Sequence, residues 1–163
     1  MPTIPASDRT PQALLSENRL HGILGYQLAQ AAIVTDTVFE ETVARAHGLR
    51  RIEFTVLALV QGNPGVTARQ LARALAVTPP NIAVCLDRLG AQGLLTRERG
   101  SADARMQHLT LTRKGGALID RAVQAVLDGE AAALAGLSPG ERVMLLELLH
   151  KAAQARRRVE GLR

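Results

Sequence analysis

Several residue types that mark common protein classes are scarce in this sequence of 163 residues. It has no tryptophan, one tyrosine and two phenylalanines, so alanine, leucine and valine must build the core, a composition that favours closely packed helices. Its single cysteine, Cys85, excludes a disulfide within the chain and makes a reducing cytosol the expected compartment.

The sequence also lacks the signals of membrane insertion, export and catalysis. No apolar run approaches the ~20 residues that span a bilayer. The N-terminal residues have neither the basic start nor the apolar run of a signal peptide. The four histidines are scattered, no His or Cys pair has metal-ligand spacing, and no phosphate-binding glycine loop or Gly-x-Ser-x-Gly motif occurs. We therefore predict a cytoplasmic protein that is not an enzyme and has no membrane segment, metal or cofactor.

What the sequence has in surplus is positive charge and helical periodicity. The formal net charge is +5, which suits a polyanionic partner such as DNA or an anionic membrane surface. Residues 1–11 hold three prolines and are expected to form a flexible arm. Between Gln12 and His47, apolar residues recur at helical spacing, which predicts one long helix or two joined ones, ended by Gly48. A helix of that length would reach roughly 50 Å, which indicates packing against a second chain.

Further elements are marked by capping and turn signals. Helices are predicted over 50–61, from the Thr67–Gln70 capping box onward, and from Thr78 to about Gln92. Two β-prone runs, LLTRER and QHLTLT, then flank GSADAR and predict a hairpin. Two more helices follow, the second opened by a Ser-Pro-Gly-Glu cap. This order is that of a winged helix-turn-helix, with the hairpin as the wing.

The helix over 79–92 is the candidate reading helix. Ile82, Leu86 and Leu89 share one face and should anchor it. On the opposite face, an asparagine suits adenine, an arginine suits guanine, and small apolar groups suit thymine methyls. A threonine at the helix N-terminus suits a phosphate. The candidate DNA contacts on this helix are Thr78, Pro80, Asn81, Val84 and Arg88.

Arginines cluster on the predicted wing. Arg97, Arg99 and Arg105 are candidate DNA contacts, because an arginine-bearing hairpin tip suits a narrow minor groove. Asp103 would repel phosphate, so we expect it to pair with Arg97 or Arg105 and to stabilise the wing.

Two segments together resemble the MarR family of bacterial and archaeal repressors. They are LARALAVTPPNIAVCLDRLGAQGLLTRERGSADARMQHLTLTRKG and LSPGERVMLLELLHKA, and the resemblance covers roughly residues 15–155. It implies a mainly α protein, with a winged helix-turn-helix lobe over 49–112 and a helical dimerisation region over 12–48 and 113–163. It also implies a homodimer on a pseudo-palindromic operator in double-stranded DNA. Pro79-Pro80 departs from the family pattern, which usually has small polar residues there.

The resemblance further implies a small organic acid as effector, of hydroxybenzoate or nicotinate type, whose binding releases the DNA. An acid needs a cation and a hydrogen-bond donor, and Arg19 with His21 is the favoured pair. The candidate effector residues are Asn18, Arg19, His21, Tyr26, Arg50, His108 and Arg113.

Two alternative functions stay open at the level of sequence. The first is a winged-helix module that binds proteins instead of DNA. The second is a redox-responsive regulator that senses through Cys85, against the plainer interpretation of this residue as a half-buried apolar side chain.

Overall fold

A computed structural model describes residues 9–99 and 107–156 of the chain. These residues form seven α-helices and one two-stranded sheet. In chain order the elements are α1 Leu24–Phe39, a π-helical turn Glu40–Ala44, α2 Arg45–His47, α3 Arg51–Gly62, α4 Ala68–Leu75, α5 Pro79–Ala91, β1 Leu95–Arg99, β2 Gln107–Leu111, α6 Arg113–Ala133 and α7 Pro139–Gln154. The helix order is therefore the predicted one, and the chain divides into two compact units after Gly129.

The start of the first helix differs from the prediction. We expected helix from Gln12, but residues 11–22 form turns and α1 begins only at Leu24. Ala13 and Leu14 have φ angles of 61° and 52°, which a right-handed helix excludes. Apolar spacing alone therefore overestimated the helix by about three turns.

The end of this helical region agrees with the prediction. Gly48 adopts φ 64° and ψ 19°, the left-handed conformation that glycine reaches without strain. The preceding π-helical turn, which the sequence did not predict, inserts an extra residue into the helical repeat.

The main core lies among α3, α4, α5, the base of the hairpin and the start of α6. Buried aliphatic side chains from each element meet there, among them Leu57, Leu71, Leu86, Leu109 and Ile119. The Thr67–Gln70 capping box forms as predicted: the Gln70 amide donates to Thr67 Oγ1 at 3.3 Å, and the Thr67 amide donates to Gln70 Oε1 at 2.8 Å. Burial and capping together place α4 and α5 as a helix-turn-helix.

The wing is an antiparallel hairpin attached to the turn between α3 and α4. Leu95 lies opposite Leu111, and the Leu109 amide donates to the Val66 carbonyl at 2.9 Å. Residues 100–106, which contain Asp103 and Arg105, lie outside the described residues, as do residues 1–8 of the predicted arm.

Helix α6 begins in tight contact with the chain that follows α5. Thr112 Oγ1 donates to the Gly93 carbonyl at 2.7 Å, and the Gly115 amide donates to Thr112 Oγ1 at 3.0 Å. A Cβ atom on Gly115 would lie 1.9 Å from the Leu94 carbonyl oxygen, so only glycine fits at this position. The start of α6 therefore sets where α5 ends.

The second unit contains α7, whose predicted capping box also forms. Ser138 Oγ accepts from the Glu141 amide at 3.4 Å, and Glu141 Oε2 accepts from the Ser138 amide at 2.8 Å. No helix among the described residues has the length and apolar character needed to cross a membrane.

Candidate nucleic-acid interface

Helix α5 is anchored through the predicted apolar seam. Ile82, Leu86 and Leu89 are buried, with at most 2% of their surface exposed. The helix begins at Pro79, whose missing N–H costs nothing at the first helical position. One face of α5 is thus fixed against the core.

The first half of the opposite face is free of the core. Pro80 and Asn81 are exposed, and Val84 keeps 66% of its surface in solvent. Thr78 is exposed at the N-cap position, yet its side chain makes no capping hydrogen bond, contrary to the capping role that its position predicted. The surface therefore offers an amide, a hydroxyl and a small apolar patch beside a helix N-terminus.

Arg88, also a predicted base contact, is not part of that free surface, because its side chain is paired within the protein. Its Nε atom lies 3.1 Å from Glu53 Oε1, and its side chain is only 38% exposed. Its Nη2 atom also donates to the Gly48 carbonyl at 3.5 Å. The guanidinium group is directed at the protein because the N-terminal end of α3 flanks the last turn of α5.

Glu53 is the functional candidate that sequence reasoning missed. It is 1% exposed, and its Oε2 atom accepts from the Arg50 amide at 2.8 Å, which caps the N-terminal end of α3. The available signal was a glutamate at the third position of a helix otherwise rich in apolar residues.

Arg97 connects the wing to α5 through a different ion pair from the expected one. We predicted a bond from Asp103 to Arg97 or Arg105, but Arg97 Nη2 lies 2.5 Å from Asp87 Oδ1. Asp103, Arg105 and the side chain of Arg99 lie outside the described part of the chain, so their predicted roles are untested. The Arg97–Asp87 pair holds β1 beside the outer face of α5.

Cys85 is more buried than its position predicted, with 6% of its surface exposed. Burial raises the pKa of the Cys85 thiol to about 11, and the nearby Glu53 carboxylate adds to that rise. The thiol is therefore protonated at neutral pH, which does not favour the redox alternative.

The seven candidate effector residues do not form one group. Tyr26 donates to the buried Glu17 carboxylate at 3.0 Å, while His108 Nδ1 lies 2.6 Å from the Gly65 carbonyl. Arg50 and Gly65 lie at opposite ends of α3, whose 12 residues span about 18 Å. Arg50 and His108 therefore lie towards opposite ends of this helix.

The other candidates occupy exposed positions. Asn18, Arg19 and His21 lie in the turns before α1, and Arg113 opens α6. Arg50 lines a cavity of about 450 Å³ between the end of α1 and the start of α3, together with Asp36, Glu40 and Arg51. Within that cavity wall, Arg51 pairs with Asp36 at 2.7 Å.

Comparison with known proteins identifies the family to which this chain belongs. A model of the MarR family matches residues 47–106. The HTH-type transcriptional repressor Rv2887 of Mycobacterium tuberculosis is 32% identical over 104 residues, which cover 64% of this chain and 75% of that protein. The chain belongs to the MarR family of transcriptional regulators, which are not enzymes.

Solved structures agree with that assignment. The repressor CouR, solved on a 23-mer DNA duplex, is 34% identical with a TM-score of 0.77, over 85% of this chain and 98% of that one. BpsR of Bordetella bronchiseptica, whose DNA binding is regulated by 6-hydroxynicotinic acid, is 26% identical with a TM-score of 0.72, over 82% and 95%. Rv2887 in complex with salicylic acid is 29% identical with a TM-score of 0.64, over 79% and 95%.

Proposed function

We propose that this chain represses transcription in the cytoplasm as a homodimer that binds a pseudo-palindromic operator, and that a small aromatic or heteroaromatic acid releases it. The observation that carries the proposal is the outer face of α5. Pro80, Asn81 and Val84 are exposed on a helix whose other face is buried. A helix held in this way is what the major groove admits.

The proposed DNA contacts divide into base-reading and positioning groups. Asn81 reads an adenine edge, Pro80 and Val84 contact thymine methyls, and Thr78 binds a phosphate at the helix N-terminus. Arg97, Arg99 and Arg105 contact DNA from the wing, and Asp103 stabilises it. Opening the exposed Arg97–Asp87 pair for a phosphate costs at most about 1 kcal/mol, because solvent screens it.

The proposed dimer uses the regions on either side of the lobe, residues 12–48 and 113–163. Both regions leave large apolar side chains in solvent, and exposed apolar patches mark interaction surfaces. The exposed residues are Leu14, Leu15, Leu20, Ile23, Leu24, Leu28, Ile33, Val34, Leu127, Val143, Met144, Leu145, Leu146, Leu148 and Leu149. A two-fold dimer places its two reading helices about 34 Å apart, one turn of DNA.

The proposed effector class is supported by the relatives that respond to, or bind, aromatic acids. The candidate residues remain Asn18, Arg19, His21, Tyr26, Arg50, His108 and Arg113. Arg19 and His21 lead, because they lie together in one exposed turn segment and supply a cation and a donor.

Operator binding tests the DNA part of this proposal. A duplex selected from a random library by the wild-type protein serves as the probe in a fluorescence anisotropy titration. Affinity should fall about 10³-fold between 50 and 200 mM salt if at least six phosphates are contacted. Asn81→Ala should change base preference more than overall affinity, and Arg97→Gln should reduce the salt slope by about 1.

Gln124→Ala, an exposed amide of α6 paired with Asp128, is the matched control and should bind like the wild type. If Asn81→Ala and the control behave alike, α5 is not the reading helix.

A thermal shift tests the effector part separately. Salicylic and 6-hydroxynicotinic acids should raise the melting temperature of the wild-type protein, because a ligand that binds the folded state stabilises it. The double variant Arg19→Gln/His21→Gln should lose this rise, while Arg45→Gln, an exposed arginine paired with Glu40, should keep it. An equal rise in both variants would remove Arg19 and His21 from the effector site.

A further inference from the structure

Arg88 lies on the same side of α5 as the exposed residues Asn81 and Val84, but its side chain contacts the protein. Asn81, Val84 and Arg88 follow a spacing of i, i+3 and i+7, which places them in one stripe. Val84 extends into solvent, whereas the Arg88 guanidinium lies against the Glu53 carboxylate at 3.1 Å. In the first half of this stripe the side chains are therefore exposed to solvent, whereas in the second half the Arg88 side chain is paired with Glu53.

The two carboxylate oxygens of Glu53 contact two different helices. Oε2 accepts from the Arg50 amide at the start of α3, and Oε1 pairs with Arg88 on α5. Because the residue is 1% exposed, it has no surface with which to touch DNA. Any effect of Glu53 on DNA binding must pass through another residue.

The buried Glu53 carboxylate needs a charged partner, because an unpaired charge is unfavourable inside a protein. Removal of Arg88 would leave the buried Glu53 carboxylate without its charged partner, which the surrounding structure must move to relieve. Arg88 also donates to the Gly48 carbonyl, so its head group bridges α5 to both the α2–α3 junction and α3. The pair thus has one preferred geometry.

The apolar seam of α5 packs the helix against the core, and its individual contacts have no direction. An ion pair with a hydrogen-bonded guanidinium does have direction. Rotation of α5 by 10–20° would move Asn81 and Val84 out of register with the base edges, a tolerance typical of designed sites.

We propose that Glu53 and Arg88 are positioning residues for DNA reading: the ion pair between the buried Glu53 and the half-buried Arg88 sets the rotation of α5, and thereby aims Asn81 and Val84 at the major groove. This assignment rests on the proposed function. It differs from a direct base contact by Arg88, and from a pair that only adds stability.

A double-mutant cycle in operator affinity tests the proposal. The variants are Glu53→Gln, Arg88→Gln and the two combined, measured by anisotropy on the selected duplex at a temperature where circular dichroism shows each one folded. Each single variant should weaken binding about tenfold, and the double variant should be no weaker than the worse single one, because both changes break the same pair. Arg51→Gln, which removes the arginine of the exposed pair with Asp36, is the charge-matched control.

Base preference gives a second readout, which also serves if Glu53→Gln does not fold. Under the proposal, Arg88→Gln reduces discrimination only at the base pairs that Asn81→Ala or Val84→Ala also affects. Loss of discrimination at a separate base pair would overturn the proposal in favour of direct contact by Arg88.

Two further results would also overturn it. One is wild-type affinity in Glu53→Gln with weakened binding in Arg88→Gln, which indicates direct contact. The other is wild-type affinity in both variants with a lowered melting temperature, which indicates stability alone. A wild-type protein that selects no duplex would instead contradict the proposed function itself.

Discussion

Leucine side chains are buried in the helix-turn-helix core but exposed on α7. In the core, Leu57 and Leu89 are wholly buried, and the capped helices around them close over their apolar faces. In α7, Leu146 and Leu148 leave 64% and 55% of their surface in solvent. The first region completes its core within one chain, whereas the second leaves apolar surface exposed, which the proposed dimer would cover.

The largest effect that tests this contrast is expected at Leu89. Leu89→Ala should lower the free energy of unfolding by about 3 kcal/mol, because it leaves a cavity in a closed core. Leu148→Ala is the matched control in α7, where a single chain has no cavity to leave. Urea denaturation at two protein concentrations measures the free energy of unfolding of both variants.

The loss from Leu89→Ala should be the same at both concentrations, whereas any loss from Leu148→Ala should depend on concentration through the dimer. Equal, concentration-independent losses would contradict the contrast.

The same contrast recurs between two adjacent glycines of α6. Gly115→Ala should cost about 2 kcal/mol, because the new Cβ would lie 1.9 Å from the Leu94 carbonyl oxygen. Gly116 has nothing within 4 Å of the position its Cβ would take, so Gly116→Ala should stabilise the helix by about 0.5–1 kcal/mol. Thermal denaturation of the two variants gives the sign of each change directly, and a shared sign would show that the α5–α6 junction is looser than described.

A somewhat smaller effect is expected when charge is placed on the exposed face of α7. Leu146→Glu should raise the dimer dissociation constant at least about tenfold, because a carboxylate would be buried without a partner in the interface. Gln154→Glu adds the same charge at the polar end of α7 and serves as the control. Sedimentation equilibrium measures both, and a wild-type chain that is monomeric at micromolar concentration would remove the basis of this prediction.

The smallest effect is expected at Cys85, at the border of the buried face of α5. Because burial raises the pKa of its thiol to about 11, alkylation by iodoacetamide at pH 7.5 should be about a hundredfold slower than for a free cysteine. The neutral thiol contributes to stability below its ordinary pKa of 9.0, and this contribution is lost as the pH rises towards 11.

Cys85→Ser should therefore bind the operator like the wild type and should not show that alkaline loss. Fast alkylation at pH 7.5, with release of DNA, would restore the redox alternative.

Local signals in the sequence predicted most of the fold. The Thr67–Gln70 and Ser138–Glu141 capping boxes, Gly48 and Pro79 each act over a few residues, so their structural result can be deduced from sequence alone. Between Gln12 and Ile23 the apolar spacing persists, yet the left-handed conformations of Ala13 and Leu14 exclude a helix. The periodicity of apolar residues describes which side chains share a helix face. It carries no information about the φ angles of individual residues.

For the candidate nucleic-acid interface, the sequence predicted only which residues of α5 are buried and which apolar and small polar residues are exposed. The seam of Ile82, Leu86 and Leu89 follows from helical geometry. The direction of Arg88 depends on Glu53, which is 35 residues away in the chain and meets Arg88 only after folding. The partners of long polar side chains are set by the folded structure, and for the same reason the Arg97–Asp87 pair could not be predicted.

The most direct test of the account is the binding stoichiometry and salt dependence of the wild-type protein on its selected duplex. Anisotropy should show two chains per duplex and an affinity that falls steeply with salt, because two reading helices and two wings contact the phosphates. Binding by a single chain, or an affinity that does not change between 50 and 200 mM salt, would contradict it.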